Sequence, residues 1–264
     1  MQTSNPQRQA WRERYLAVRA HTVALVAPLS AEDQALQSMP DASPSKWHQA
    51  HTTWFFETLV LLGPASKPTR LPGYRPFDAR FAYLFNSYYE ALGARHPRPE
   101  RGLLSRPDLA TVQAYRRHVD AAMLRLIAEL DDDAFVPLAP LIELGLHHEQ
   151  QHQELILTDI LHAFSCNPLL PLYSPAAPAA RIETAPARWL AHPGGTVEIG
   201  HAGAGFAFDN ETPRHGQLLQ AFEIADTLVS CGDYLRFIED GGYRRAEFWL
   251  SDGWAQARGW GQPS

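Results

Sequence analysis

Between Leu141 and Phe164 the chain reads LIELGLHHEQQHQELILTDILHAF, and this stretch limits what the whole can fold into. Its two ends are apolar almost all round: Leu141, Ile142, Leu144 and Leu146 on one side, and Leu155, Ile156, Leu157, Ile160, Leu161, Ala163 and Phe164 on the other. A helix with apolar residues on every face is expected to be buried. Its middle, from His147 to Glu154, is unbroken polar sequence, and burying such a turn is costly unless each group meets a partner or a metal ion. His148 and His152 are four residues apart, so both project from one helix face with Cβ atoms about 5–6 Å apart, where they can share one ion. Gln151 lies beside them. The expectation is a metal site built into a helix bundle.

The rest of the chain has room for such a bundle and for more besides. A length of 264 residues allows one large domain or two ordinary ones. An apolar fraction of 45% with 20% charged residues is that of a globular protein. The formal net charge of -6 offers nothing to nucleic acid or to an anionic membrane. No leader pattern and no apolar run near the length of a membrane span is seen, and Cys166 and Cys231 stand far apart without CxxC spacing. Two isolated cysteines fit a reducing compartment, so a cytoplasmic location is expected.

Upstream, Gln9 to Ala20 and Val23 to Leu29 read as packing helices without a chemical pattern. Ser43-Pro44 then predicts a helix start, a hydroxyl N-cap followed by proline at the first helical position. The helix SKWHQAHTTWFFETLVLLG is expected to run to Gly63-Pro64, with Trp47, Ala50, Trp54, Phe55, Thr58, Leu61 and Leu62 as its apolar stripe. His48 and His51 are three apart on neighbouring faces, and His51 falls among the aromatic residues expected to face the core. A lone histidine there is more often a satisfied core residue than a ligand. A second histidine pair on another helix changes that balance. After a Pro/Gly/Arg-rich loop, Phe77 to Leu92 predicts an aromatic helix holding Tyr88 and Tyr89. The basic loop 93–107 contains Arg95, Arg98, Arg101 and Arg106, which beside a pocket would grip a carboxylate. Asp108 to Leu130 predicts a fourth, amphipathic helix. Four helices joined by loops make a bundle whose metal sites come from facing helices.

His51, His148 and His152 form a set of three nitrogen ligands suited to Zn, Fe, Cu or Ni. Three protein ligands leave open positions for substrate and dioxygen, as a non-haem iron oxygenase requires. A two-histidine, one-carboxylate version would need Glu149, Glu154 or Glu57, although Glu149 points away from the His148/His152 face. A rival reading is a zinc hydrolase, because His148-Glu149-Gln150-Gln151-His152 spells H-E-x-x-H. In that reading Glu149 is the general base. The two intervening glutamines and an upstream third histidine favour the iron reading.

Residues 165–187 are proline- and alanine-rich, without periodicity, and predict a linker between a helical domain over 1–164 and a second domain over 188–264. In the latter, Trp189, Val197 to Ile199, Phe206, Phe208 and Leu218-Leu219 sit among turn residues and predict short strands. Cys231 to Asp240 predicts one short helix ending at Gly241-Gly242. The fold class expected is α+β.

The segments SPSKWHQAHTTWFFE, FNSYYEALGARHPRPERGLLSRP, HHEQQHQELILTDI and FDNETPRH, in this order, resemble the iron-dependent sulfoxide synthases of ergothioneine biosynthesis. Those enzymes have a helical DinB-like domain followed by a formylglycine-generating (sulfatase-modifying, C-type-lectin-like) domain. The resemblance implies an Fe(II) enzyme that uses O2 to join a cysteine-type thiol to C2 of the imidazole of Nα-trimethylhistidine, giving a sulfoxide. By the same resemblance His51, His148 and His152 would hold the iron, Gln151 would hydrogen-bond the substrate imidazole, and Arg98 would hold the thiol's carboxylate. Tyr88 and Tyr89 would sit near the iron, one of them donating a proton or hydrogen atom. The wording of FNSYYE is closer to the branch that takes free cysteine than to the one that takes γ-glutamylcysteine. Two departures stand out. The family's second domain continues beyond SDGWAQARGWG whereas this chain stops at Ser264, so a truncated, catalytically incomplete metal-binding fragment is a further expectation. Cys231 also stands where the family pattern has asparagine.

Overall fold

The computed structural model describes residues 6–63, 70–87, 93–175 and 187–259. The chain divides into two compact units, Met1–Ala179 and Ala180–Ser264. The first is helical and the second carries the strands, an α+β protein.

In the first unit α1 spans Pro6–Val26 as one helix. Its buried residues, Tyr15, Val18, Arg19, Thr22 and Val26, follow the three-and-four spacing of a single helical stripe. Two of the five are polar, and both point at α6. Helix α2, Ser45–Phe55, is buried along its whole length and continues as a π-helix over Phe56–Leu62. The wider turn ends where the Gly63 N–H bonds the Thr58 carbonyl, with Gly63 at φ 65°, a left-handed conformation that favours glycine. The Arg70 guanidinium closes the segment by donating to the Leu59 and Val60 carbonyls. The predicted N-cap does not form. Pro44 occupies the cap position, and the Ser43 hydroxyl accepts from Arg101 instead, at 2.9 Å, while its N–H goes to Asp159 at 2.8 Å.

A second correction concerns the aromatic stretch. Helix α3 covers Phe81–Leu84 rather than Phe77 to Leu92. The carbonyls that would continue it are committed elsewhere: Leu84 accepts from the Trp47 indole and Phe85 accepts from His51. Residues 88–92, with Tyr88 and Tyr89, lie outside the described residues. A 3₁₀ turn over Arg98–Leu103 follows, and then α4, Leu109–Glu129, with Asp108 accepting from the Thr111 N–H at its start. The short α5, Asp132–Phe135, leads into α6, Ala139–Ser165.

Helix α6 is buried on one face, not on all. Ile142, Gly145, Leu146, Glu149, Gln153, Ile156 and Ile160 form the inward stripe, while Leu161 is 52% exposed. The main core joins Trp47, Trp54, Phe55, Phe56, Tyr115, Met123, Leu126, Ile142 and Leu146. A smaller cluster of Val26, Leu29, Ile156, Ile160 and Phe164 packs the far end of α6 against α1.

The second unit has two antiparallel pairs. Strands β1 (Trp189–His192) and β4 (Phe222–Ala225) pair with Trp189 opposite Ala225; β2 (Gly195–Ile199) and β3 (His215–Leu219) pair with Gly195 opposite Leu219. Phe206 and Phe208 lie outside the strands, in the connection between β2 and β3. Helix α7, Cys231–Glu239, is capped by Ser230, which accepts from the Asp233 N–H, and an unpredicted α8 spans Ser251–Gly259. Among the described residues no helix is long and apolar enough to cross a membrane.

Candidate metal centre

Within the first unit, α2 and α6 cross so that His51, His148 and His152 face one another. One ring nitrogen from each lies within 4.8 Å of the other two. The ring centroids are 4.9 Å apart for His51 and His148, 4.6 Å for His51 and His152, and 4.6 Å for His148 and His152. His51 is sandwiched between two indoles, with near-parallel planes against Trp47 at 4.7 Å and Trp54 at 5.6 Å. Its Nδ1 donates to the Phe85 carbonyl at 2.6 Å, so Nε2 carries the lone pair, aimed at His148 Nε2 3.1 Å away. His148 Nδ1 is buried without a hydrogen-bond partner among the described residues.

Burial disfavours charge on all three rings. Desolvation, reinforced by His148, holds His51 well below the usual histidine value. Desolvation brings His148 down to about 4, and desolvation together with His51 and His48 holds His152 well below its ordinary value. Neutral imidazole is the metal-binding form. Three neutral nitrogen donors converging at one point, one of them oriented by a backbone carbonyl, fit a divalent transition metal.

The histidines border a cavity of about 360 Å³. Gln151 and Arg98 both line it. Arg101, another of the four arginines of the basic loop, lines the same cavity. The Arg101 guanidinium lies 3.4 Å over the Trp47 ring and donates to the Ser43 and Ser87 hydroxyls at 2.9 and 3.2 Å. His48 was read only as a neighbour of His51. Its Nδ1 lies 2.8 Å from His152 Nδ1, and its Nε2 lies 3.0 Å from Asp159 Oδ2. Desolvation keeps His48 below its ordinary value despite that carboxylate. The available signal was weak: Asp159 follows His152 by two helical turns on α6.

Two of the three carboxylates considered as ligands are engaged elsewhere, and Glu154 does not line the cavity. Glu149 is fully buried on the adjoining face of α6, turned toward α1 and α4 and bonded to Arg19 at 2.8 Å, Arg116 at 3.1 Å and the Thr22 hydroxyl at 2.6 Å. Burial pushes its carboxyl upward, but the two guanidinium groups and Thr22 outweigh this and hold it below the ordinary glutamate value. Glu57 accepts from the Tyr74 and Tyr115 hydroxyls, both at 2.6 Å, and from the Phe77 N–H at 3.0 Å. Neither borders the cavity.

Comparison with known proteins agrees with this architecture. Residues 14–156 match the DinB superfamily, and residues 176–263 match the sulfatase-modifying factor enzyme 1-like domain. A hercynine oxygenase of Mycolicibacterium thermoresistibile is 31% identical over 253 residues, which is 95% of this chain and 52% of that protein. The hercynine oxygenase of Mycobacterium tuberculosis is 32% identical over 239 residues, 89% of this chain and 52% of that protein. The chain thus spans about half the length of these curated relatives. With one family covering the greater part of the sequence, and with a helical bundle as its first unit, the chain belongs to the DinB superfamily and carries a sulfatase-modifying factor enzyme 1-like segment after its bundle.

Proposed function

We propose that this chain is an iron-dependent sulfoxide synthase acting on hercynine, the Nα-trimethylated histidine, with a cysteine-type thiol as second substrate. The observation that carries this reading is the set of three converging histidines, His51 buried and His148 and His152 half-buried, opening onto one cavity that Arg98 and Arg101 also border. The similarity to hercynine oxygenases supports the substrate class. The overall reaction takes a thiol, the C2–H of an imidazole and O2, and yields a C–S bond, a sulfoxide oxygen and one water.

Fe(II) held by His51, His148 and His152 would supply O2 activation and orient both substrates at its open positions. The protein's own residues have separate tasks. Arg98 and Arg101 place positive charge on one side of the cavity, suited to the carboxylate of the thiol substrate. The Gln151 amide, on the same helix as two of the histidines, would hydrogen-bond the hercynine imidazole. The Trp47 and Trp54 faces exclude water from His51 and fix its ring plane. Tyr88 directly follows the cavity-lining Ser87 in sequence, and Tyr88 or Tyr89 would donate a proton or hydrogen atom. The expected result is that Tyr88→Phe or Tyr89→Phe lowers sulfoxide formation while iron content is unchanged. Wild-type rates in both variants would remove these tyrosines from the mechanism.

The hydrolase alternative requires Glu149 beside the metal as a base, and a carboxylate locked between two arginines and absent from the cavity lining is not available for that task. The deciding experiment is anaerobic loading with Fe(II), followed by O2 uptake and product mass with hercynine plus cysteine or γ-glutamylcysteine. One iron per chain and a sulfoxide product are expected, with iron lost in His51→Ala. Full iron stoichiometry in His51→Ala would refute the ligand set. Iron binding without any sulfoxide would reduce the chain to a metal-binding module.

A further inference from the structure

The hydrogen bonds that leave His152 run through His48, which also lines the cavity, to a carboxylate on the helix from which His152 itself projects. Asp159 Oδ2 accepts from the Ser43 N–H at 2.8 Å and meets His48 Nε2 at 3.0 Å. An ionised carboxylate only accepts, so His48 carries its proton on Nε2. A neutral His48 then has a bare Nδ1. That nitrogen lies 2.8 Å from His152 Nδ1, a separation that needs one proton between them, and the proton belongs to His152. His152 is left with a lone pair on Nε2.

From this geometry we infer that Asp159 and His48 are positioning residues that fix His152 as the Nδ1–H tautomer and so reserve its Nε2 for the metal. His51 is set the same way by a different device, the Phe85 carbonyl on its Nδ1. The relay also ties the two ligand-bearing helices together, because His48 lies on α2 while His152 and Asp159 lie on α6. Ser43 links it to the cavity wall, since its backbone holds Asp159 and its hydroxyl accepts from Arg101.

The inference rests on the metal reading above, and its test separates the two. In the metal-free protein, ¹⁵N–¹H correlation spectra of labelled histidine report the tautomer of His152 directly. The expected result is Nδ1–H in the wild type and in His51→Ala, and a shift toward Nε2–H in His48→Leu. In a Co(II) titration, His48→Leu is expected to bind about 10–100-fold more weakly with an altered ligand-field spectrum. His48→Asn, whose Oδ1 can accept the same proton, recovers most of the affinity. Circular dichroism melts of both variants keep folding losses apart from ligand effects. An Nε2–H tautomer in the wild type, or unchanged Co(II) affinity and spectrum in a folded His48→Leu, overturns the relay. A wild type that binds no metal overturns the functional reading instead, and the tautomer spectrum then decides the relay alone.

Discussion

Glu149→Gln will cost this protein a large share of its stability, about 3–5 kcal/mol against a typical total of about 5–15 kcal/mol. The carboxylate is fully buried and faces Arg19 and Arg116, which are 3% and 4% exposed. Asp120 also binds Arg19, so two buried cations share two anions, and the amide leaves one cation uncompensated. The amide's own N–H₂ would moreover face a guanidinium, donor against donor, and the Thr22 hydroxyl would keep only a weaker acceptor. Urea unfolding followed by circular dichroism gives the measurement, and a loss under about 1 kcal/mol would show that the cluster is not charged as described. The pH dependence has a fixed sign. The folded state holds the Glu149 carboxyl below its ordinary value, so its contribution is complete above the ordinary glutamate range and lost as pH falls through the folded value. That acid limb should be absent in the Gln variant. The same substitution tests the hydrolase alternative, because a metal-site base exchanged for its amide would leave a stable, inactive protein.

The contrast between Glu149 and its two histidine neighbours explains what the sequence could and could not disclose. Spacing alone puts His148 and His152 on one helix face and Glu149 on another, and the structure keeps that geometry. Helices α2, α4 and α6 were legible because each carries an apolar stripe long enough to outweigh local noise. His51 was legible because it faces the core among Trp47, Trp54 and Phe55 while a second histidine pair stands on another helix. The partners of Glu149 were not. Arg19 and Arg116 sit on helices where arginine ordinarily marks the solvent face, and only the crossing of α1 and α4 over α6 turns them inward.

The same limit applies to longer-range contacts. The Asp159–His48–His152 chain joins residues more than 100 positions apart, and no local pattern specifies it. Tertiary bonds also overrode local propensity twice. The Ser43 hydroxyl accepts from Arg101 rather than capping a helix, and the aromatic helix from Phe77 was cut short because Trp47 and His51 take the carbonyls at its end. The all-round apolar reading of α6 failed at Leu161, where a helix at the edge of the bundle leaves one side to solvent. In the second unit, strand β2 and helix α7 carried clear turn and cap signals, whereas α8 is glycine-interrupted and gave none.

Gly145 is where the packing that builds the metal centre can be tested by a change of sign. A methyl group added there would lie 2.6 Å from Phe56 Cε1 and 2.9 Å from Phe55 Cε1. Both rings are fully buried and hemmed in by the core, so neither can swing aside. In a free helix, Gly→Ala stabilises by about 1 kcal/mol. Here the clash, about 1–3 kcal/mol, should cancel or exceed that gain, so Gly145→Ala is expected to destabilise. Phe56→Ala by itself should cost about 3–5 kcal/mol by opening a cavity beside α6. In that background two of the three short contacts vanish and the new methyl enters the cavity. Gly145→Ala should then become stabilising, with a coupling energy on the order of 2 kcal/mol in a double-mutant cycle. If Gly145→Ala stabilises the otherwise unaltered protein by the full helix-propensity gain, the close approach of α6 to Phe55 and Phe56 is not what the geometry says. That approach matters beyond stability: Gly145 lies three residues before His148, and the absence of a side chain there lets α6 come near enough to α2 for His148 Nε2 to reach within 3.1 Å of His51.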